Sequence, residues 1–324
     1  MKKFLAFLLA LVLLMLCTAC FDGGENSTIK ATQDKQEPTH SLEAPTYPTA
    51  APASGSTVTP TEPNTEPSTE PSTEPTQTDE ITLAETVIYD DRGVKITVKG
   101  LTDGWSGPEL KVLVENNTDK NIVFSGSEFV VNGVTVSGYA HIDVAAGKKT
   151  NDTITLYDDD LEVAGIQSVA TIQGMDCRVY DSDSYVDMFD VPFTLATSIA
   201  TTHVQNIDDS GDVLFEKAGV TVIAKKLHQD WLGYTVVLFV RNDTGKDIIV
   251  NADNISVNGF TITGWLYDHV YADSVRFCEI TVSSSSLAEN DIEKIDTVTF
   301  TIDIIDAETY NRIAASEEIG ITVG

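Results

Sequence analysis

Four side chains that can stack on a ligand or hydrogen-bond to it recur at every second position late in this sequence. They are Trp265, Tyr267, His269 and Tyr271. Alternate side chains of a β-strand project from one face, so this spacing would gather all four into a single strip. Tryptophan and tyrosine offer a large, rigid contact area for a sugar ring or a protein partner, and an imidazole titrates at about pH 6–7. The spacing predicts a ligand-binding strip whose affinity depends on pH.

The same strip also has a purely structural interpretation. One face of a half-buried strand points into the core, and the four side chains would fill that core if Leu266, Asp268 and Val270 faced outward. An acid is rarely buried without a partner, so the position of Asp268 favours this alternative. The burial of Trp265 and Tyr267 distinguishes the two interpretations.

Two pairs of acids occupy matching places. Asp181 and Asp183 correspond to Asp306 and Glu308, and a tyrosine follows each pair at the second position. Carboxylate oxygens are the ligands that calcium prefers, but the glycine of a tight calcium loop is missing. A turn whose tyrosine anchors the following strand accounts for the same residues. We therefore expect no metal site and keep these four acids only as weak calcium candidates.

Acid–base chemistry would have to come from the histidines. The sequence has five, and they are His40, His141, His203, His228 and His269. None has a counterpart at equivalent spacing, and no nucleophile-elbow, zinc-peptidase or paired-carboxylate motif is present. The sequence therefore predicts a non-enzymatic protein with no catalytic residue and no cofactor. The alternative is an envelope hydrolase whose site forms between two parts of the chain, where His228 or His269 meets a carboxylate.

The segments that would position these residues are duplicated. Residues 87–138 match residues 213–264 at a constant offset of 126 without a gap. The matched positions are glycine, tryptophan, asparagine, threonine and apolar residues, such as Asn116 with Asn242. Because no catalytic side chain is shared, the duplication preserves a scaffold. We expect Trp105 and Trp231 to close the end of each repeat by burying apolar area, although an exposed tryptophan could stack on a sugar instead.

Alternating apolar and polar residues dominate both repeats. Val94, Ile96 and Val98 alternate with polar residues, and this period of two indicates half-buried strands. Asn132-Gly133 lies between two such runs and predicts a hairpin, because both residues tolerate positive φ. Short helical turns are expected only at 158–166 and 286–295.

About seven short strands per repeat predict an immunoglobulin-like architecture. The fold expected is all-β, with two tandem immunoglobulin-like antiparallel β-sandwiches after a disordered tether. The expected boundaries are a signal peptide at 1–19, the tether at 20–84, repeat 1 at 85–198, a linker at 199–211 and repeat 2 at 212–324.

The N-terminus predicts export. Lys2 and Lys3 precede an apolar run that ends in Cys17-Thr18-Ala19-Cys20, the order of features found in a signal peptide. The small residues before Cys20 resemble the lipobox of bacterial lipoproteins, in which a diacylglycerol is attached to that cysteine, although Cys17 stands where leucine is usual. The resemblance implies an anchor on the outer face of the cytoplasmic membrane. An uncleaved membrane anchor is the alternative.

Cys177 and Cys278 have no disulfide or metal-ligand spacing and are expected to be buried.

Charge and composition limit the partners. Nine of the eleven prolines lie between Pro38 and Pro75, where acids and threonines repeat, and such a segment cannot bury enough apolar surface to fold. The whole chain carries a net charge of −30, of which −11 falls in 85–198 and −12 in 199–324. These charges argue against nucleic acid and against an anionic bilayer surface as ligands. They leave cations, basic proteins and neutral glycans.

The lipobox, the proline-rich tether, Asn116-x-Thr118-x-Lys120, Asn132-Gly133 and the late Asp-x-Asp/Glu-x-Tyr motif together resemble a family of uncharacterised lipoproteins of Gram-positive bacteria. The resemblance covers nearly the whole chain and implies tandem immunoglobulin-like domains of unknown function. We therefore expect a membrane-anchored envelope protein that presents two modules for binding a protein or glycan. A purely structural spacer is a further alternative.

Overall fold

The computed structural model describes residues 29–32, 80–229 and 233–323. The fold is all-β, with 62% of the described residues in strands and 5% in helices, and the strands connect into one open hydrogen-bonded network. The predicted signal peptide, Cys20 and nearly all of the predicted tether lie outside the described residues. Among the described residues, no helix has both the length and the apolar composition needed to cross a membrane.

The first half of the described chain, residues 80–198, contains ten strands and one short helix. The strands are β2 (Thr86–Asp91), β3 (Val94–Gly104), β4 (Gly107–Asn116), β5 (Ile122–Val131), β6 (Val134–Val144), β7 (Lys149–Leu156), β8 (Thr171–Gly174), β9 (Cys177–Asp181), β10 (Val186–Asp190) and β11 (Phe193–Ala196). The helix, α1, is Asp158–Val163.

The second half, residues 212–323, has a similar order, with seven strands before its helix and three after it. Its strands are β12 (Asp212–Lys217), β13 (Val220–Gln229), β14 (Gly233–Asn242), β15 (Ile248–Val257), β16 (Phe260–Thr261), β17 (Gly264–Val270), β18 (Ser274–Ser283), β19 (Thr297–Asp306), β20 (Arg312–Ala315) and β21 (Ile319–Val323). The helix, α2, is Ser284–Glu289. A separate strand, β1 (Ile29–Thr32), pairs antiparallel with β21.

Both halves are built from the same ladders. In the first, β2, β3, β4 and β7 pair in that order, and β5 pairs with β6 on one side and with β8 and β9 on the other. In the second, β12, β13, β14 and β18 form the corresponding ladder, and β15 pairs with β17 and β19. Each half has its own cluster of buried hydrophobic residues, supplied by both of its ladders.

Local turn chemistry follows the sequence. Asn132 and Gly133 have φ of 51° and 85°, and they join β5 to β6 directly, with Val131 opposite Val134. Asn258 and Gly259 adopt the same conformation in the second half, with φ of 51° and 83°. The predicted hairpins are therefore confirmed. The two short helices lie where turns were expected, but they are shorter than 158–166 and 286–295, and the second begins two residues earlier.

A buried asparagine holds together the same three segments in each half. The Asn116 side chain is fully buried, and its amide Nδ2 donates to the carbonyl oxygens of Lys120 (2.8 Å), Val144 (3.0 Å) and Ala145 (3.2 Å). Its Oδ1 accepts from the backbone N–H of Thr118 at 3.0 Å. The matching side chain in the second half makes the equivalent bonds with offset partners. This pattern explains why Asn-x-Thr-x-Lys is retained in both repeats.

Replacing Asn116 by Ala should lower the free energy of unfolding by about 2–4 kcal/mol, because the buried carbonyl oxygen of Val144 and the partly buried ones of Lys120 and Ala145 lose their donor. Asn116→Asp should also destabilise, since a carboxylate keeps the acceptor but cannot donate to carbonyls. The adjacent Asn117 is exposed, so Asn117→Ala is the matched control. Urea denaturation measures all three variants, and an Asn116→Ala loss no larger than that of the control would contradict this role.

Candidate ligand-binding groove

The two halves contact each other through an apolar face of the second half. Ile223 on β13, Phe239 on β14 and Val275 on β18 pack into the hydrophobic cluster of the first half, and Phe277 packs against it. The rings of Phe239 and Phe277 meet edge to face, with centroids 5.6 Å apart. These side chains lie on the outward face of their ladder, because alternate residues such as Leu238 belong to the second half's own core.

The internal repeat contains a signal for this contact that pattern reading missed. At the positions matching Val275 and Phe277, the first half has Lys149 and Asn151, and both of these are exposed. An outward face that meets water is polar, whereas one that meets a neighbour favours apolar residues. A position-by-position comparison of the repeats therefore points to the surface that is covered.

A buried ionic contact closes one end of the interface. Arg276 on β18 donates to Glu128 of the first half at 2.5 Å, and Tyr271 donates its hydroxyl to the other oxygen of Glu128 at 2.8 Å. Arg276 also donates to the carbonyl of His269 at 2.9 Å. Only 10% of the Arg276 side chain and 20% of the Glu128 side chain are exposed. Nearby, the backbone N–H of Val275 donates to the Gly133 carbonyl at 3.0 Å, which joins the two halves strand to strand.

Asp268 is the third member of this ionic contact. It lies 3.9 Å from Arg276 and occupies the position that Ile142 fills in the core of the first half. Burial raises the pKa of its carboxyl, and the positive charge of Arg276 opposes that rise. Cys278, next to it, is fully buried, and burial raises the pKa of its thiol. Cys177 is also buried and its thiol pKa is raised to about 12 for the same reason, so both predicted buried cysteines are confirmed.

A groove of about 920 Å³ opens beside this contact, between the halves. Its wall on the first half includes Asp159, Asp160 and Glu162 of α1. Its wall on the second half includes Lys226, Trp265, Tyr267, Phe277 and Glu279. Trp265 is 58% exposed and Tyr267 is 53% exposed, so both rings have faces available to a ligand.

Strand β17 places the two rings at the groove because it changes partner along its length. Gly264 and Trp265 pair with β18, and the residues from Leu266 onward pair with β15 instead. Leu266 and Val270 point into the second half's core. The interpretation in which the strip fills the core is therefore wrong, since the opposite face of β17 does so.

The other two members of the predicted strip lie elsewhere. Tyr271 is only 7% exposed, and its hydroxyl is taken by Glu128, so including it among the ligand-binding residues was wrong. His269 lines a separate cleft of about 500 Å³ with Lys246, Asp247 and Glu308. The strip is divided because its side chains contact different parts of the molecule. Trp265 and Tyr267 line the groove, His269 lines the second cleft, and Tyr271 bonds to Glu128.

Two of the four weak calcium candidates, Asp181 and Asp306, are engaged by the chain itself. Asp181 accepts from the ammonium of Lys120 at 2.7 Å and from the backbone N–H of Asp183 at 3.0 Å. The Lys120 bond, with the backbone bonds of this turn, lowers the pKa of Asp181 to about 2. Asp306 has its pKa lowered to about 2 by the Thr309 N–H and by Lys246. No group of three or more potential metal ligands occurs among the described residues.

Two structural expectations about aromatic residues are corrected. Trp105 is 90% exposed and does not close the end of the first half. Gly104 pairs with Gly107 at the end of the β3–β4 ladder, so Trp105 stands at the tip of a tight hairpin beyond the core. The tyrosines expected to anchor the acidic turns, Tyr185 and Tyr310, are 80% and 69% exposed, and both have φ of 57°. Trp231 lies outside the described residues.

Comparisons with known proteins give no functional argument. No family model matches the chain, and no curated protein matches it. Among solved structures, a conserved domain protein from Bacillus anthracis is 11% identical, with a TM-score of 0.27, over 75% of this chain and 91% of that one. Red sea bream transglutaminase is 9% identical, with a TM-score of 0.19, over 72% of this chain and 31% of its own.

Replacing Arg276 by Met should lower the free energy of unfolding by about 3 kcal/mol or more, because two poorly solvated carboxylates lose their cation. Lys294→Met is the control: Lys294 bonds to Asp296 at 2.9 Å, the two side chains are 76% and 65% exposed, and such a pair contributes under about 1 kcal/mol. Chemical denaturation measures both variants. Equal losses would show that the contact with Glu128 contributes no more than a surface ion pair.

Proposed function

We propose that this protein is a non-enzymatic lipoprotein of a bacterial cell envelope that binds a protein or glycan ligand in the groove between two immunoglobulin-like modules. The observation that carries the proposal is the pair of exposed rings, Trp265 and Tyr267, inside a concave surface. Large aromatic side chains in a cleft are the usual anchors of sugar and protein ligands. The groove volume lies near the upper end of the range for ligand sites, about 300–1,000 Å³.

The modular part of the proposal is supported by the repeated strand order. Each half has two ladders and one core, the architecture expected of an antiparallel β-sandwich of the immunoglobulin type. The proposed modules are residues 85–198 and 212–324. The linker at 199–211 is held from both sides, because Gln205 accepts from Asn132 at 3.0 Å and Asp208 binds Lys225 at 3.1 Å. A held linker keeps the groove walls in place.

Binding is better supported than hydrolysis or spacing. A hydrolase between the halves would need a histidine beside a carboxylate at the groove, and His269 lines the other cleft. The side chain of His228 lies outside the described residues. A pure spacer would need neither a concave surface nor exposed aromatic rings. The groove therefore favours binding over a pure spacer, and among the described side chains no histidine lines it.

The anchoring part rests on the sequence of the N-terminus. Lipidation of Cys20 would place the modules outside the cytoplasm, and the acidic, proline-rich tether would hold them away from the membrane. Its reach is on the order of 40 Å as a flexible coil and roughly 190 Å as extended polyproline. A groove presented at that distance can meet ligands within the cell wall.

We expect the full protein, in detergent, to be retained by insoluble cell-wall glycan or by at least one immobilised protein from a panel of envelope proteins. Trp265→Ala combined with Tyr267→Ala should weaken that retention about tenfold or more, because each truncated hot-spot ring costs about 1–2 kcal/mol or more. Trp105→Ala is the matched control, since Trp105 is exposed but does not line the groove. Retention unchanged in the double variant would refute the groove as the binding site.

Lipidation is tested separately. The mature protein should begin at Cys20, carry a diacylglycerol and sediment with membranes, and Cys20→Ala should release it or leave it unprocessed. Mass spectrometry of the N-terminal peptide measures this, with Cys17→Ala as the matched control that should still be processed. Recovery of an intact segment 1–20 in the mature wild-type protein would rule out cleavage.

A further inference from the structure

We infer that the ligand of the groove is an extended, basic segment of a partner protein, whose Lys or Arg side chain lies between the aromatic rings and the carboxylates of α1. The inference rests on the proposed function that the groove binds a ligand, and it specifies the chemical class. Three features of the groove carry it: charge, aromatic faces and an open strand edge.

The first feature is the charge of the lining. Among the described side chains, five carboxylates and two basic groups line the groove. The acids are Asp159, Asp160, Glu162, Asp268 and Glu279, and the bases are Lys226 and Arg276. The charge of Arg276 is already matched by Glu128, which lies outside the lining. The groove is therefore negative and attracts a cation.

The second feature is the position of the aromatic rings among these carboxylates. Trp265 and Tyr267 are more than half exposed and share the groove with the acids of α1. A cationic side chain over the face of a tryptophan or tyrosine is attracted by the ring quadrupole, and the attraction strengthens where water is partly excluded. A neutral sugar would use the rings but would gain nothing from the carboxylates' charge. The combination favours lysine or arginine.

The third feature is a strand edge that faces the groove. One edge of β18 pairs with β14 along its whole length. On the other edge, within the described chain, β18 pairs only near its two ends. Val275 pairs with Val134 of β6, and Thr281 and Val282 pair with β17. Phe277, between these ends, lines the groove and pairs with β14 alone among the described strands. A sheet edge of this kind accepts an added strand through main-chain hydrogen bonds. An extended peptide can use the edge, whereas a small amine cannot.

Charge also decides against occupants from this chain itself. The predicted tether carries a net charge of −9 over residues 21–80, and the two halves carry −11 and −12. A tether segment or a second copy would bring negative charge to a negative groove. The occupant must therefore come from a different, basic protein.

The experiment measures binding of labelled nine-residue peptides to the full protein in detergent by fluorescence anisotropy. The probe has lysine at every second position with valine and threonine between. The comparison probes are the glutamine counterpart, a lysine peptide with alternate backbone nitrogens methylated, a linear polyamine and a neutral N-acetylglucosamine oligomer. We expect the lysine peptide to bind at least tenfold more tightly than each of the others, with affinity that falls as salt is raised.

Matched variants locate the site. Asp159→Asn with Glu162→Gln should weaken binding of the lysine peptide about tenfold. Asp291→Asn with Glu293→Gln changes the net charge equally at exposed positions outside the groove, and should change affinity less than twofold. Trp265→Ala should weaken binding about tenfold, while Trp105→Ala should not.

The outcomes separate this inference from the proposed function. No binding of the lysine peptide, equal binding of the polyamine, or no effect of backbone methylation would each overturn the inference. If the neutral oligomer alone binds and Trp265→Ala abolishes its binding, the groove remains a ligand site and only the ligand class is wrong. If no ligand responds to Trp265→Ala and Tyr267→Ala, the proposed function fails as well.

Discussion

The contact of Arg276 with Glu128 is the interaction on which the arrangement of the two halves depends. The guanidinium lies where it matches Glu128 of the first half and also stands near Asp268 of its own half. Separating these groups inside the interface would leave poorly solvated charges, which is costly. The same guanidinium holds the carbonyl of His269, so the end of β17 is fixed as well. One side chain thus sets both the contact between the halves and the path of the strand that carries the exposed rings.

Residues shared by the repeats and residues that differ between them have separate tasks. Asn116 and Asn242 each satisfy buried carbonyl groups within one half, so neither copy could change without loss of stability. Phe277 and Val275 replace a polar and a charged residue of the first copy, and they bind one half to the other. The contact is asymmetric because only the second copy offers this apolar face. The groove beside it has no counterpart within either half taken alone.

Electrostatics explains why the contact needs both an apolar face and a buried ion pair. Both halves are strongly acidic, and like charges within about 8 Å of each other repel even at physiological salt. Apolar burial of Phe239 and its neighbours supplies attraction that does not depend on charge, and Arg276 neutralises the acids closest to the seam. The acids of α1 remain at the rim, where an added cation would relieve the repulsion.

The sequence by itself determined the strands, the Asn-Gly hairpins, the short helices and the duplication, because period-two burial and positive-φ turns are local properties. Alternation also placed Trp265 and Tyr267 on one face of a strand, but it could not say which face was inside. That was decided by the packing of Leu266 and Val270 in the core of the second half. Trp105 was misjudged for a related reason, since only the β3–β4 register places it beyond the core. Arg276 and Glu128 are 148 residues apart in the chain, so tertiary structure alone decided their contact: local patterns carry no information about which distant charges meet when two acidic surfaces pack.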